Sequence, residues 1–475
     1  MIDLLVIGAG PTGLFMAAEA ARHGLTCRII DKSPSPSDKS KALAIQPRTL
    51  EIFDHLGIVD RFLSKGVKIR AVNPTSERQS LAHLSFVSLH SPFPFVLSLE
   101  QSETEKILAD YLASFGLKVE REVEFLNLLQ TEDCVQVTLL NRGKEERVRT
   151  QWLTGCDGAH SAVRKALNLS FSGRAIPTIF SLVDVQIDWK YPHDELFLFL
   201  NPGGILGAIP MPGKNRYRLV FQSKEGIDLL NEAEEKLREY ADRKASLSHP
   251  LWTANFHIHS RLVKSYQKGR VFLAGDAAHI HSPAGGQGMN SGLQDAFNLV
   301  WKFKQPHLLP TYTLERRSWG KNLLRATRLA TWAASLRNPL AIALRNWAIA
   351  TFAPHLAERL TSTIAQLTIR YPKSPIAYES GCFSGGPHAG MRASNIPLFI
   401  KGTKTDLFSL LRKTTRPHLL LFSSENISLV PEALPLFIQK GTTDPDGTAH
   451  AIYGIKKPSA YLIRPDLYIA FRKTL

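Results

Sequence analysis

The chain has 475 residues, 44% of them hydrophobic, with 58 Lys and Arg against 42 Asp and Glu and a formal net charge of +16. That length and apolar content fill the cores of two or three domains and exclude a disordered or fibrous polypeptide. No nucleic-acid motif accompanies the charge, so nucleic acid is set aside as a partner. The surplus reads as a solvated basic surface, or as one that gathers anionic small molecules or meets an acidic surface.

The first element is the short apolar run Ile2–Ile7, the pattern of a parallel strand buried on both faces. The chain begins directly with this core strand, so no signal peptide is expected. Gly8-Ala9-Gly10-Pro11-Thr12-Gly13 follows at once, and the Ala-rich stretch from Leu14 to His23 suits a helix. The first glycine allows the tight turn, the second a close approach to a pyrophosphate, and the third close packing of helix on strand. The free N–H groups and positive dipole end of such a helix suit phosphate oxygens. A second strand, Cys27–Ile30, ends at Asp31, at the spacing expected of a carboxylate that grips a ribose diol. The alternative, an ordinary glycine turn, leaves Asp31 unexplained.

Further along, Gly155-Cys156-Asp157-Gly158-Ala159-His160-Ser161 and Arg164 follow an apolar stretch and open a helix. By itself this is a helix cap, with Asp157 or Ser161 satisfying orphan N–H groups. Beside the other loops it reads as part of a cofactor site. Residues 173–261 alternate as strands do. Arg270–Ala274 is a further strand, with Gly275-Asp276 at its end, where an acid can accept a ribitol hydroxyl. The glycine-rich stretch Pro283–Asn290 leads into a helical pattern from Ser291. Such a loop brings backbone N–H groups and a helix N-terminus to a planar ring and stabilises negative charge there. One dinucleotide, FAD, held by both glycine loops accounts for the pair.

Leu329–Leu356 is apolar and Ala-rich, but Arg337, Asn338, Pro339, Arg345 and Asn346 interrupt it. A spanning helix needs about 20 uninterrupted apolar residues. Two amphipathic helices broken near Asn338-Pro339 are expected, packed on the body of the protein or at a dimer surface, with peripheral membrane contact as the lesser alternative. In the tail, Arg416–Phe422 reads as a buried strand, and Tyr461–Arg472 as two strands joined at a Pro-Asp turn. Cys27, Cys134, Cys156 and Cys382 form no C-x-x-C pair and no metal spacing, which points to a reducing cytoplasm and to no metal site.

Taken together, GAGPTG, GCDGAHSAVR and GDAAHIHSPAGGQGMNSGLQDAFNLVWK resemble the single-component FAD-dependent aromatic hydroxylases, the p-hydroxybenzoate hydroxylase-like or phenol-hydroxylase-type monooxygenases. The resemblance is close from residue 1 to about 330 and weaker beyond. It implies an α/β fold: a Rossmann-like FAD-binding domain of glutathione-reductase type at 1–70, 98–172 and 262–330, and a β-sheet substrate domain at 71–97 and 173–261. A helical linker at 331–374 and a thioredoxin-like α/β domain at 375–475, without disulfide chemistry and with a structural or oligomerising role, complete it. The implied cofactor contacts are Gly8, Gly10, Pro11, Thr12, Gly13, Asp31, Lys41, Arg48, Gln101, Asp157, Arg164, Asp276, Pro283, Gly286, Gly288, Met289 and Asn290. Lys41 stands where the family usually has Arg, a point charge in place of a planar fork.

The implied reaction uses NADPH, or NADH, to reduce FAD, after which O2 adds at flavin C4a and the hydroperoxide hydroxylates an electron-rich ring. Here the protein positions the flavin and excludes water. Pro283 is expected beside the reactive flavin edge, and Gly288, Met289 and Asn290 are expected to give N–H groups to the pyrimidine end. His281, like His279, is weighed as a proton-handling residue against a structural hydrogen-bonding role. Phe197, Phe199, Ile209 and Met211 are expected on the sheet above the flavin, although alternation sends half of such residues into the core. No Lys or Arg lies between Leu196 and Pro212, which favours an apolar or phenolic small aromatic substrate over a benzoate. A monomer or homodimer is expected. The rival readings are a quinone-biosynthesis flavin hydroxylase, against which the long tail argues; a flavin halogenase, for which no W-x-W-x-I-P segment is found; and a non-catalytic flavin-binding protein.

Overall fold

Ile2–Ile7 lies in the middle of a sheet because its side chains are apolar on both faces: Leu4, Leu5 and Val6 are all fully buried. The computed structural model describes residues 1–37, 42–202, 204–224, 226–282, 285–423 and 430–475, apart from the side chains of 175–178 and 257–258. Cys27–Asp31 pairs in parallel with one side of Ile2–Ile7 and the end of Lys144–Gly155 with the other. Val271–Leu273 continues the parallel array next to Lys144–Gly155. The antiparallel strands Val123–Gln130 and Val135–Asn141 extend that sheet beyond Lys144–Gly155. The helices Pro11–Arg22, Gln101–Ala113 and Gly288–Val300 bury their apolar sides in the same core.

Parallel pairing has one consequence that matters for function. The carboxyl ends of Ile2–Ile7, Cys27–Asp31, Lys144–Gly155 and Val271–Leu273 lie on one edge of the sheet. Gly8, Asp31, Cys156-Asp157 and Gly275-Asp276, far apart in the chain, therefore meet along that edge, where open α/β sheets carry their ligands.

The chain then leaves through Phe171–Asp188 and returns through Ser246–Val263, two antiparallel strands of 18 residues each. They belong to a nine-stranded sheet that continues through Arg216–Ser223, Gly204–Pro210 and Glu195–Asn201 to Ala71–Ser76. The pairing of Glu195–Asn201 with Ala71–Ser76 is parallel. His279–Ile280 pairs with Arg261 and Leu262, so this sheet is hydrogen-bonded into the second glycine-rich segment.

Helix Leu229–Tyr240, capped by Asp228, covers one face of that sheet with Ala233, Leu237 and Tyr240. Phe197 and Phe199 belong to this helix-covered core, with Trp189, Tyr191 and Tyr217 around them. Their position in the chain predicts the same surface as Ile209 for both, and they lie instead on the helix-covered face of the sheet, opposite to Ile209. The period of two along a strand puts Leu196, between Phe197 and the strand start, on the opposite face. There it clusters with Ile209, Val72 and Ala44. Met211 is fully buried.

After the second glycine-rich segment come the helices Pro310–Ala334 and Pro339–Phe352, broken at 335–338. Asn338 caps the second, its Oδ1 accepting from the N–H groups of Leu340 and Ala341. The tail folds as a five-stranded mixed sheet in the order Tyr378–Ser380, Ile469–Thr474, Ser459–Ile463, His418–Phe422, Leu434–Phe437. Its inner residues, such as Leu420, Tyr461 and Ile469, share a continuous apolar core with the first sheet. All four cysteines are free thiols.

Candidate functional site

The first glycine loop is shaped by what surrounds it. Gly8 has φ +101°, and a Cβ there would lie 2.5 Å from the Cys156 carbonyl oxygen. A Cβ on Gly13 would lie 1.8 Å from the Gly8 oxygen. Both positions exclude any side chain. Gly10 differs: its missing side chain points into open space. Helix Pro11–Arg22 has Gly10 as its N-cap, with no side chain capping it. Pro11 has no N–H to offer, so the N–H groups of Thr12 and Gly13 stand at an uncapped, electropositive end. Asp31 sits beside them, its Oδ2 accepting from the Ala9 N–H at 2.7 Å and its Oδ1 from the Ser33 N–H at 2.8 Å.

Thr12 joins the two glycine-rich segments. A Cβ on Gly275 would lie 2.8 Å from Thr12 Oγ1, and one on Gly292 only 2.3 Å from it. The threonine side chain therefore occupies space that two glycines leave vacant. Helix Gly288–Val300 starts after Gln287 and also lacks a side-chain cap, which leaves the N–H groups of Gly288, Met289 and Asn290 at a second open helix end. The Asn290 side chain serves the loop itself. Its Oδ1 accepts from the Gln46 N–H, and its Nδ2 donates to the carbonyls of Ala44 and Gly286 at 2.8 Å each. Gly286, at φ +62°, lets the loop pass so close to Ala44 that the two Cβ positions would be 2.6 Å apart. Asp276 is exposed at the end of Val271–Leu273. Lys41 and Pro283 lie outside the described residues.

Residues that the sequence offered as cofactor contacts have structural partners. Asp157 Oδ2 caps the short helix Ala162–Ala166, accepting from Ala162 and Val163, and Ser161 Oγ accepts from Arg164. Burial raises the Asp157 pKa above its ordinary value. The Arg164 guanidinium donates to the carbonyls of Ala277 and Ala159 and lies over Phe171. It thus ties this third segment to the second glycine segment. Arg48 is fully buried, donating to Glu51 and to the Asp466 carbonyl of the tail, so its charge is engaged at a domain junction. Gln101 binds the Ala42 N–H and donates to Glu105.

The histidines of the loop differ. His279 Nε2 lies 2.7 Å from Asp295 Oδ2 in a fully buried pair. The Nδ1 of His281 donates to the Ser282 carbonyl at 2.8 Å. This leaves its buried Nε2 without a partner among the described residues, beside Gly288. Burial pushes the His281 pKa down to about 4, so the ring is neutral near pH 7.

Sequence reasoning missed the supports of this loop. Asp295 accepts from the Gly275 N–H at 3.0 Å, from His279 and from Arg316 Nε at 2.6 Å. Burial works to raise its pKa, but Arg316 and then His279 hold it below the ordinary value. Arg316 continues to Tyr371 and to the Ser291 carbonyl. Next to it, Glu315 binds Arg464 of the tail, Lys302, Asn298 and Ser374. Gln287 donates to the carbonyls of Gly285 and Ile364, and Gln366 donates to Gln287 Oε1. No short spacing in the sequence pairs Asp295 with Arg316 or Gln287 with Gln366. No group of His, Cys, Asp and Glu able to hold a metal occurs among the described residues.

These features fit FAD on the edge of the first sheet. Gly10 is open where a diphosphate must approach, two helix ends are uncapped, and two carboxylates end the strands. A family model described as FAD binding domain matches residues 1–327. The chain is 32% identical to a 6-methylpretetramide 4-monooxygenase from Streptomyces rimosus, over 98% of this chain and 90% of the relative. It is 31% identical to a pentachlorophenol 4-monooxygenase from Sphingobium chlorophenolicum, over 99% of this chain and 94% of the relative. Among solved structures, an anhydrotetracycline hydroxylase from Streptomyces rimosus superposes with a TM-score of 0.81 at 28% identity, covering 100% of this chain and 96% of its own.

Proposed function

This chain belongs to the family of FAD-dependent aromatic monooxygenases that share this FAD-binding domain, and from that premise we propose that it hydroxylates a neutral phenolic or polycyclic aromatic compound. The observation that carries the substrate reading is the composition of the sheet face turned to the second glycine segment. Leu196, Ile209 and Val72 cluster there with Ala44, and Ala44 abuts Gly286. No Lys or Arg lies between Leu196 and Pro212 to pair with a substrate carboxylate. The relatives reported above are named for 6-methylpretetramide, pentachlorophenol and anhydrotetracycline, and none of these names denotes a benzoate.

The residues divide the work as follows. The N–H groups of Thr12 and Gly13 bind the diphosphate past the open side of Gly10. Asp31 accepts from the ribose diol and Asp276 from the ribitol chain. The N–H groups of Gly288, Met289 and Asn290 meet the pyrimidine end of the flavin and favour negative charge there. Gln101 belongs to the segment beside the phosphates. Asp157, Arg164 and the Asn290 side chain hold the loops in place. When bound, the cofactor supplies oxygen activation with electrons drawn from NAD(P)H. The chain contributes position and an apolar, water-poor cover; His281, neutral and unprotonated at Nε2, is an acceptor beside Gly288. The tail is read as thioredoxin-like, supported by its mixed five-stranded sheet, and as structural, because Arg464 pairs with the buried Glu315 and Asp466 accepts from the buried Asn298.

The test is NAD(P)H oxidation stimulated by a panel of aromatics, with product mass checked for one added oxygen. Neutral phenols or polycyclic phenols are expected to stimulate it. Hydroxylation of simple benzoates in strong preference to neutral phenols sinks the substrate reading.

A further inference from the structure

The helices that follow the FAD domain carry apolar side chains that none of the described residues covers. Leu329, Trp332, Leu340, Leu344, Trp347 and Phe352 are between 51% and 82% exposed. On helix Pro339–Phe352 the positions 340, 344 and 347 form one outward stripe at helical spacing. Single exposed apolar residues are ordinary, but a stripe of three on one helix, with Phe352 packed against Trp347, marks an interaction surface, and Leu329 and Trp332 are exposed on the preceding helix. The stripe cannot turn inward, because the opposite side of the helix is anchored. Ile342 is buried there, Arg345 donates to the Leu200 and Ala333 carbonyls, and Asn346 donates to Ser76 Oγ.

Charge identifies the partner. Between residues 317 and 373 the only carboxylate is Glu358, against nine Lys and Arg. Lys321, Arg325, Arg328, Arg337 and Arg359 are all exposed on the same helical region, before and after the apolar stripe in the chain. We propose that this face docks the enzyme onto an anionic lipid surface, the tryptophans and leucines entering the headgroup boundary and the cations meeting lipid phosphates. Apolar stripes rimmed by Lys and Arg bind in the plane of such surfaces, and tryptophan favours that boundary. A second copy of the chain fits less well, since it brings another +16 and the same cations against the first. No described helix is long and apolar enough to cross a membrane, which agrees with lying on one. The helix pair is bonded to the substrate sheet through Arg345 and through Gln222 with Ser335, so docking holds that sheet next to a phase in which apolar aromatics concentrate.

The experiment is flotation of the FAD-loaded enzyme with vesicles of phosphatidylglycerol and phosphatidylcholine, or of phosphatidylcholine alone, at low and high salt. Flotation is expected with the anionic vesicles only, and high salt should weaken it at least tenfold. A Leu340→Glu/Leu344→Glu/Trp347→Glu variant should lose at least tenfold in partitioning while keeping NAD(P)H oxidation with soluble substrate. A second measurement needs no disruptive variant: brominated anionic lipid should quench the tryptophan emission of the unaltered enzyme, and Trp332→Phe/Trp347→Phe should remove that quenching. An enzyme that stays unbound to anionic vesicles and unquenched overturns the proposal. So does a lipid-independent dimer, seen in sedimentation, that the triple substitution dissociates.

Discussion

Replacing Asp295 by Asn keeps the shape of a fully buried side chain and removes its charge. The native carboxylate takes three donors: Arg316 Nε at 2.6 Å, His279 Nε2 at 2.7 Å and the Gly275 N–H at 3.0 Å. Arg316 is equally buried and keeps only neutral acceptors: Tyr371 Oη, the Ser291 carbonyl and the one amide oxygen that replaces Asp295 Oδ1. Breaking a buried pair by removing one partner costs about 3–5 kcal/mol, because the other charge stays in place uncompensated. These retained acceptors put Asp295→Asn near the lower end, about 3 kcal/mol. Against a total stability of about 5–15 kcal/mol that is a large fraction. With the amide oxygen turned to Arg316, the amide nitrogen stands in the place of Oδ2 and cannot accept from the Gly275 N–H, next to Asp276, so FAD affinity should fall by about tenfold or more. Urea unfolding at fixed pH gives the stability, and quenching of flavin fluorescence on titration gives the affinity. Arg316→Leu combined with Asp295→Asn should cost less than the sum of the two single changes by at least about 1 kcal/mol, since the stranded cation is gone. A loss below about 1 kcal/mol for Asp295→Asn, or strict additivity, would refute the argument that this carboxylate anchors the loop.

Gly292→Ala places a methyl group 2.3 Å from Thr12 Oγ1 and 3.2 Å from the Gly275 Cα. Overpacking of about 1–3 kcal/mol is expected, with weakened FAD binding, and Thr12→Ala in the same chain should restore part of the stability by removing the hydroxyl that the new methyl meets. Phe199→Ala should lower stability by about 3–5 kcal/mol with KM for the aromatic substrate unchanged, whereas Ile209→Ala should raise KM; kinetics and urea unfolding on both variants separate core from substrate face. His23, His281 and His418 have pKa values lowered to about 4 by burial, and His55 lies well below its ordinary value. The unfolded chain takes up their protons first as pH falls through 6.5, so stability should drop between pH 6.5 and 4, by up to about 1.4 kcal/mol per pH unit for each. The depressed carboxylates Asp295 and Glu315 act in the same direction at still lower pH. A urea midpoint that stays level from pH 6.5 to 5 contradicts this reading.

What the sequence by itself determined is local. Gly8-Ala9-Gly10-Pro11-Thr12-Gly13 announces a strand–turn–helix because the positive φ of Gly8 and the contact of Gly13 with the Gly8 carbonyl both belong to the turn itself. Asp31 stands at its place because a strand of fixed rise brings it to the same sheet edge. Asn338-Pro339 stops one helix and starts another by backbone chemistry alone, and the break is where those residues stand. Tertiary structure decided the partners. The resemblance offers Arg48 and Arg164 as cofactor contacts, and the folded chain gives one a bond to the tail and the other bonds to two carbonyls. Phe197 and Phe199 are separated from Leu196 and Ile209 only by the face of a strand, and the helix Leu229–Tyr240 determines which face is core. Thr12 between Gly275 and Gly292, and Asp295 with Arg316, are contacts between segments that no local spacing relates. The physical reason is that backbone conformation follows from neighbours in the chain, whereas a buried charge or a filled void is satisfied by whatever the folded chain brings within a few ångströms.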